Sequence, residues 1–249
     1  MTDLRLRPRS ATELVDAAFQ LYRRDPLQFI IGLGAVYVPW MVIVGALGLQ
    51  TPGAAPSLAT SAILALGGIA VYTFAGGVTT VLANDAYFGR ALDLGRAFRA
   101  VVSGVVPLVL TMLTATIGIG LGFILLIIPG FYMIARYFCI KQAVLLEGAG
   151  TNDALRRTAD LSKGYKGHIL KTLLLVGIVT MAISIGVSLL ATMIPSTILQ
   201  LAVSTALSTV IYPIFGITET LLYYDVRIRK EGFDIEYLAT GAEQAPLAS

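Results

Sequence analysis

The chain has 249 residues, of which 56% are hydrophobic and 13% charged, and its mean hydropathy is +0.80. An ordinary soluble domain carries roughly 25% charged residues, so a soluble single-domain enzyme is excluded first. One cysteine, Cys139, rules out an intramolecular disulfide, and one histidine, His168, leaves no Cys/His zinc set, so neither cofactor nor metal is expected. The net charge of +3 points to anionic lipid head groups rather than nucleic acid, because the basic residues flank apolar segments.

In chain order, residues 1–26 form a cytoplasmic segment. Ser10-Ala11-Thr12-Glu13 has the spacing of a capping box, and Val15, Phe19 and Tyr22 follow at helical steps. No cleavable signal peptide is expected, because the first apolar run starts only near Leu27. Residues 27–232 contain six apolar runs, at 27–49, 58–82, 105–128, 130–146, 169–194 and 197–224. Each is near the roughly 20 residues a membrane-crossing helix needs, and 130–146 is the shortest. Thr51-Pro52-Gly53 with Pro56, Pro129-Gly130, and Pro195-Ser196 are the predicted tight turns. Residues 233–249 lack apolar periodicity and are expected to be a disordered cytoplasmic tail.

Lysine and arginine fall before the first run, between the second and third (Arg90, Arg96, Arg99), around Arg156 to Lys171, and after the sixth (Arg227, Arg229, Lys230). The three turn connections contain none. By the positive-inside rule, both termini and the two long loops are expected in the cytoplasm. Parity favours six crossings, since five would place the Arg156–Arg157 loop opposite the N-terminus. Two further amphipathic segments, 91–100 and 151–164, are expected to lie at the inner membrane surface like the first. The fold class is therefore all-α: six transmembrane helices as three hairpins, each preceded by an interfacial helix, a weak internal repeat.

Leu6-Arg7-Pro8-Arg9-Ser10 with Glu13 to Arg24, Ile127-Ile128-Pro129-Gly130 with Leu146 to Gly150, Ala154-Leu155-Arg156-Arg157 with Leu161-Ser162-Lys163-Gly164, and Tyr223 to Arg227 with Gly232-Phe233-Asp234 carry a likeness. They resemble bacterial proteins grouped with the membrane domain of glycerophosphoryl diester phosphodiesterases. The likeness runs from Leu6 to Glu236, with Thr158 where that pattern has a serine. It implies a six-helix integral membrane domain of the bacterial inner membrane. The phosphodiesterase activity of fused members resides in a separate catalytic barrel of well over 200 residues, for which this chain, with a single histidine, has neither the room nor the histidine motifs. No enzymatic activity is carried over.

Three charges fall inside the apolar runs: Arg136, Lys141 and Glu219. Each costs about 2.5–3.5 kcal/mol at mid-helix, so partners are expected. Lys141 and Glu219 each precede the inner end of a run by five residues, about 7–8 Å, and can pair at one depth. Arg136 lies near the midplane, about 140° around the same helix from Lys141. One reading is a polar pocket lined by Arg136 and Glu219 that holds a lipid phosphate or titrates during transport. The other is structural: Lys141 reaches the surface, Glu219 neutralises a neighbour or is protonated, and Arg136 satisfies carbonyls at a kink. Arg156 and Arg157 are candidate head-group contacts, or simply orientation signals.

Gly118-Ile119-Gly120-Leu121-Gly122 sits inside an apolar run with no preceding strand, so it reads as a small-residue packing surface, as do Gly45, Gly67 and Gly76. Pro39, Pro107 and Pro213 are candidate kinks. Tyr22, Tyr87, Phe88, Tyr165, Tyr223 and Tyr224 are expected to form an inner aromatic belt. No nucleophile–base arrangement is present. The sequence therefore leaves two functions open: a lipid-interacting or membrane-assembly module, with anionic lipids or a protein at its cytoplasmic face, and a transporter or permease-like protein.

Overall fold

A computed structural model describes residues 7–49, 56–191 and 193–235. Among them the regular structure is entirely helical, with ten helices. The predicted turn Thr51-Pro52-Gly53 and the tail beyond residue 235 lie outside the described residues.

Helix α1, Ala11–Tyr22, opens with the expected capping box: Ser10 Oγ accepts from Glu13 N, and the Glu13 carboxylate accepts from Ser10 N at 2.7 Å. Helix α2, Pro26–Ala46, has its proline in the first turn, where a missing N–H costs nothing. Helix α3 covers Leu58–Tyr87. Trp40 lies over Gly67, and Val78 over Gly32, so α2 and α3 run antiparallel in close contact. Helix α4, Leu94–Ser103, starts later than its apolar pattern because Asp93 caps it, accepting from Arg96 N at 3.0 Å.

Helices α5, Val105–Leu125, and α6, Ile127–Arg136, meet at one extended residue, Leu126. The reversal therefore falls three residues before the predicted Pro129-Gly130 turn. Pro129 sits in the first turn of α6, where proline is tolerated, and Gly130 serves close approach: a Cβ at Gly122 would lie 3.0 Å from its backbone. The expected continuous helix over 130–146 is interrupted. α6 ends at Arg136, and helix α7, Ile140–Leu145, begins after a break at Tyr137–Cys139. Helix α8 spans Thr151–Ser162, helix α9 Lys166–Ala191 and helix α10 Thr197–Glu231, which ends on left-handed Gly232. Pro39 and Pro213 lie within continuous helices rather than unwound segments.

Among the described residues, five helices are long and apolar enough to cross a membrane: α2, α3, α5, α9 and α10. Leu58, Leu66, Ile124, Ile128, Leu190 and Ile198 are among many large apolar side chains left exposed, a surface suited to lipid rather than water. Burial is concentrated at the opposite end, where α3 from Thr73 to Tyr87 and α10 from Ile214 to Asp225 are largely enclosed. Helix α10 is central there, touching α1, α2, α3, α8 and α9.

The expected aromatic belt is mostly interior. Tyr22, Tyr87, Tyr223 and Tyr224 are buried, and Tyr87 stacks on Tyr224 with ring centroids 4.8 Å apart. Phe233, assigned from sequence to the tail, packs on Tyr224 at 5.5 Å.

Candidate functional site

The structure brings together two of the three charges placed inside the apolar runs. Lys141 Nζ lies 2.6 Å from Glu219 Oε2, with the two side chains 3% and 8% exposed. Tyr72 of α3 completes the cluster: Lys141 Nζ donates to its hydroxyl at 3.0 Å, and the hydroxyl donates to Glu219 Oε1 at 3.4 Å. The ammonium also lies 4.2 Å from the centroid of the Tyr72 ring. Gly76 makes room for the lysine, since a Cβ there would sit 3.3 Å from Nζ. Tyr72 escaped the sequence reading because its hydroxyl is one of eleven in the chain, and no spacing rule ties it to residue 141.

This cluster separates two apolar cavities. The larger, about 660 Å³, lies among α3, α5, α6, α9 and α10, with Ile69, Met112, Phe131, Ile134 and Leu173 in its walls. The smaller, about 430 Å³, lies towards α2, with Leu33, Tyr37, Trp40 and Tyr212 in its walls. Tyr72, Lys141, Glu219, Phe215 and Gly68 line both. These volumes fall in the roughly 300–1,000 Å³ range of small-molecule sites, and apolar walls with a few convergent polar groups are their usual composition.

Arg136 is not part of this cluster. It forms no ion pair among the described residues; its guanidinium carbon lies 5.7 Å from the Tyr137 ring centroid, and its Nε is buried without a hydrogen-bond partner. The break after Arg136 is what separates its course from that of Lys141. Thr158 of α8 fills that break: its hydroxyl donates to Arg136 O at 3.1 Å and accepts from Cys139 N at 3.3 Å and Cys139 Sγ at 3.1 Å. Buried Gln142 of α7 donates to Thr220 of α10 at 3.2 Å, fixing the short helix beside Glu219.

At the charged end, the two candidate head-group arginines part company. Arg157 is gripped by Glu147 at 2.8 Å through Nε and by Glu231 at 2.9 Å through Nη2, and these carboxylates raise its pKa, Glu231 foremost. Tyr223 donates to Glu147 at 2.6 Å, and Arg227 donates to Glu231 at 3.0 Å. Arg157 thus ties α8 to α10, whereas Arg156 is exposed. A second knot centres on Asp225, which accepts from Arg9 N at 2.6 Å and Arg229 Nε at 2.7 Å and lies 2.8 Å from His168 Nε2. His168 therefore has a structural partner. Among the described residues, no group of three or more His, Cys, Asp or Glu side chains is placed to hold a metal.

Compared with protein-family models, curated proteins and solved structures, the chain matches none.

Proposed function

We propose that the chain is a non-enzymatic, lipid-interacting protein of the bacterial inner membrane, akin to the membrane domain of glycerophosphoryl diester phosphodiesterases, that holds an amphiphile between its helices. The observation that carries this is the Lys141–Glu219–Tyr72 cluster standing between two apolar cavities. A buried ion pair serving packing alone would be enclosed by side chains, because cavities beside it forfeit dispersion contacts.

Six crossings with both termini cytoplasmic fit the same reading. Helices α6 and α7 together cover Ile127 to Leu145, about 28 Å at helical rise against a hydrocarbon core of about 30 Å. Supporting the orientation, Arg9 and His168 meet Asp225, Arg157 meets Glu231 and Arg96 meets Asp85, which gathers the basic segments at one end. Of the two candidate head-group arginines, Arg156 is the one left exposed to meet anionic head groups there, or a protein partner. A permease-like reading for a lipidic substrate draws support from the two cavities sharing one wall.

Gly68 supplies the test, since it lines both cavities and a Cβ there meets nothing within 4 Å. Gly68→Leu is expected to fill cavity space and remove co-purifying lipid, read by native mass spectrometry of protein extracted in its own membrane, while thermal stability holds. The same bound lipids in both proteins would refute the reading.

A further inference from the structure

The Lys141–Glu219 pair is not a saturated salt bridge. A lysine ammonium has three N–H donors; among the described residues Lys141 directs one to Tyr72 and approaches Glu219 Oε2 with another. The third has no hydrogen-bond partner among those residues. Glu219 is similarly underused, because among the same residues Oε2 contacts Lys141 alone, at 2.6 Å, and Oε1 accepts one long bond from Tyr72. Ionised carboxylates have about four acceptor positions. Both groups line cavities whose remaining walls are almost wholly apolar.

We propose that Lys141 is the anion-recognising group of the amphiphile site and that Glu219 is its displaceable resident: a monoanionic head group takes Glu219's place on Lys141 and Tyr72, its chain enters the larger cavity, and Glu219 takes up one proton. This rests on the lipid-interacting reading and names the ligand class within it. The charge count requires that a proton accompany the anion. With Glu219 in place the cluster is neutral, and an incoming anion leaves one negative charge in excess at a depth where unpaired charge is strongly disfavoured. A proton from water, bound by the released carboxylate, restores neutrality. Lys141 stays charged and donates to the head group, Tyr72 keeps its hydroxyl free to donate, and neutral Glu219 becomes a donor in its own right. One O–H bond forms on Glu219 with a proton given up by solvent hydronium, and no other covalent bond is made or broken.

Proton uptake with the anion makes binding pH-dependent with a defined sign. The titratable groups facing Glu219 are Lys141 from α7, Cys139 at the break, Tyr72 from α3, and Tyr37 and Tyr137 at the cavity walls, with Tyr212 on α10 itself. The residues that α5 and α9 contribute to the two cavities include no titratable side chain. Lysine, tyrosine and cysteine ordinarily titrate at or above about pH 8.5, outside the pH 6 to 8 window of the test. One proton bound per anion weakens apparent affinity about tenfold for each pH unit of increase.

The test titrates the full-length protein, in neutral detergent micelles, with phosphatidylglycerol, whose phosphodiester stays monoanionic over that range. Phosphatidylcholine and glycerophosphoglycerol, the chainless phosphodiester, serve as comparisons, and native mass spectrometry reads the bound fraction. The expected result is phosphatidylglycerol binding that weakens about 100-fold from pH 6 to pH 8, with phosphatidylcholine and the chainless head group both much weaker. Glu219→Gln should abolish the pH dependence and bind phosphatidylglycerol at pH 8 at least as tightly as the wild type does at pH 6. Lys141→Met/Glu219→Gln, which leaves no unpaired charge, should no longer distinguish the two lipids.

Phosphatidylglycerol binding that is flat with pH in the wild type, or equally pH-dependent in Glu219→Gln, overturns the exchange while leaving lipid binding intact. Glycerophosphoglycerol binding as tightly as the lipid overturns the amphiphile class. Absence of any lipid binding removes the broader reading as well.

Discussion

Replacing Thr158 by valine keeps the volume of a fully buried side chain and deletes the hydroxyl that closes the α6–α7 break. Two backbone groups then lose a partner, the Cys139 N–H and the Arg136 carbonyl. A buried donor or acceptor left unsatisfied costs about 1–3 kcal/mol, and the carbonyl, with two lone pairs, falls at the lower end. The sum is about 2–4 kcal/mol, concentrated in one segment. Cys139 reports on that segment directly: it is the single cysteine of the chain and fully buried. If labelling by a maleimide requires local opening, this loss predicts modification about 30- to 1,000-fold faster in Thr158→Val. Thr158→Ser keeps both hydrogen bonds and loses one methyl group, a change of about 0.8 kcal/mol, so its labelling rate should stay within a few-fold of wild type. Equal labelling rates and melting temperatures in Thr158→Val and wild type would show that the break is held by something other than this hydroxyl.

Two further outcomes follow from local geometry. Gly122→Ala places a Cβ 3.0 Å from the Gly130 backbone, so it should lower the melting temperature in detergent clearly, whereas Gly120→Ala, with nothing within 4 Å, should leave it unchanged or slightly raised by helix propensity; equal effects would mean the α5–α6 contact is looser than described. Glu13, held by the Ser10 backbone N–H and by Arg7, has its pKa lowered from 4.5 to about 2, so its contribution to anchoring α1 is fully present above about pH 4.5 and lost as the pH falls towards 2. Hydrogen-exchange protection factors of α1, corrected for the intrinsic pH dependence of exchange, should fall over that window, and Glu13→Gln should flatten the dependence.

The pairing of Lys141 with Glu219 was legible from depth alone, because two opposite charges equally far from the inner ends of neighbouring apolar runs have few other ways to avoid lipid. The capping box at Ser10 was equally legible, since its chemistry is contained within four residues. Arg136 was not, because its angular relation to Lys141 assumed an unbroken helix, and nothing local to 137–139 announces a break that is completed by Thr158 from another helix. Pro129-Gly130 misled for a related reason. Proline stops a helix when approached from its N-terminal side but is welcome in a first turn, and which applies depends on where Leu126 turns the chain. The tyrosines likewise look the same in sequence whether they meet a head-group layer or, as Tyr87 and Tyr224 do, one another.

The break and the cavity belong to one departure from regularity. The order of a short helix followed by two longer elements occurs as α1-α2-α3, as α4-α5 with α6 and α7, and as α8-α9-α10. In the first and third units the last helix has 30 and 35 residues. In the middle unit it is divided into pieces of 10 and 6. A regular helix would satisfy its own backbone, so the division imposes a cost that Thr158 offsets by reaching in from α8. What the division provides is visible on its far side. Phe131, Ile134, Tyr137 and Phe138, up to and at the break, wall the larger cavity, and Lys141, just after it, supplies the charge. Restoring the hydrogen-bond regularity of this segment while keeping Lys141 would therefore be expected to improve stability and remove the site together. That coupling is the pattern of a functional interruption, in which local helix stability is given up for the placement of one side chain.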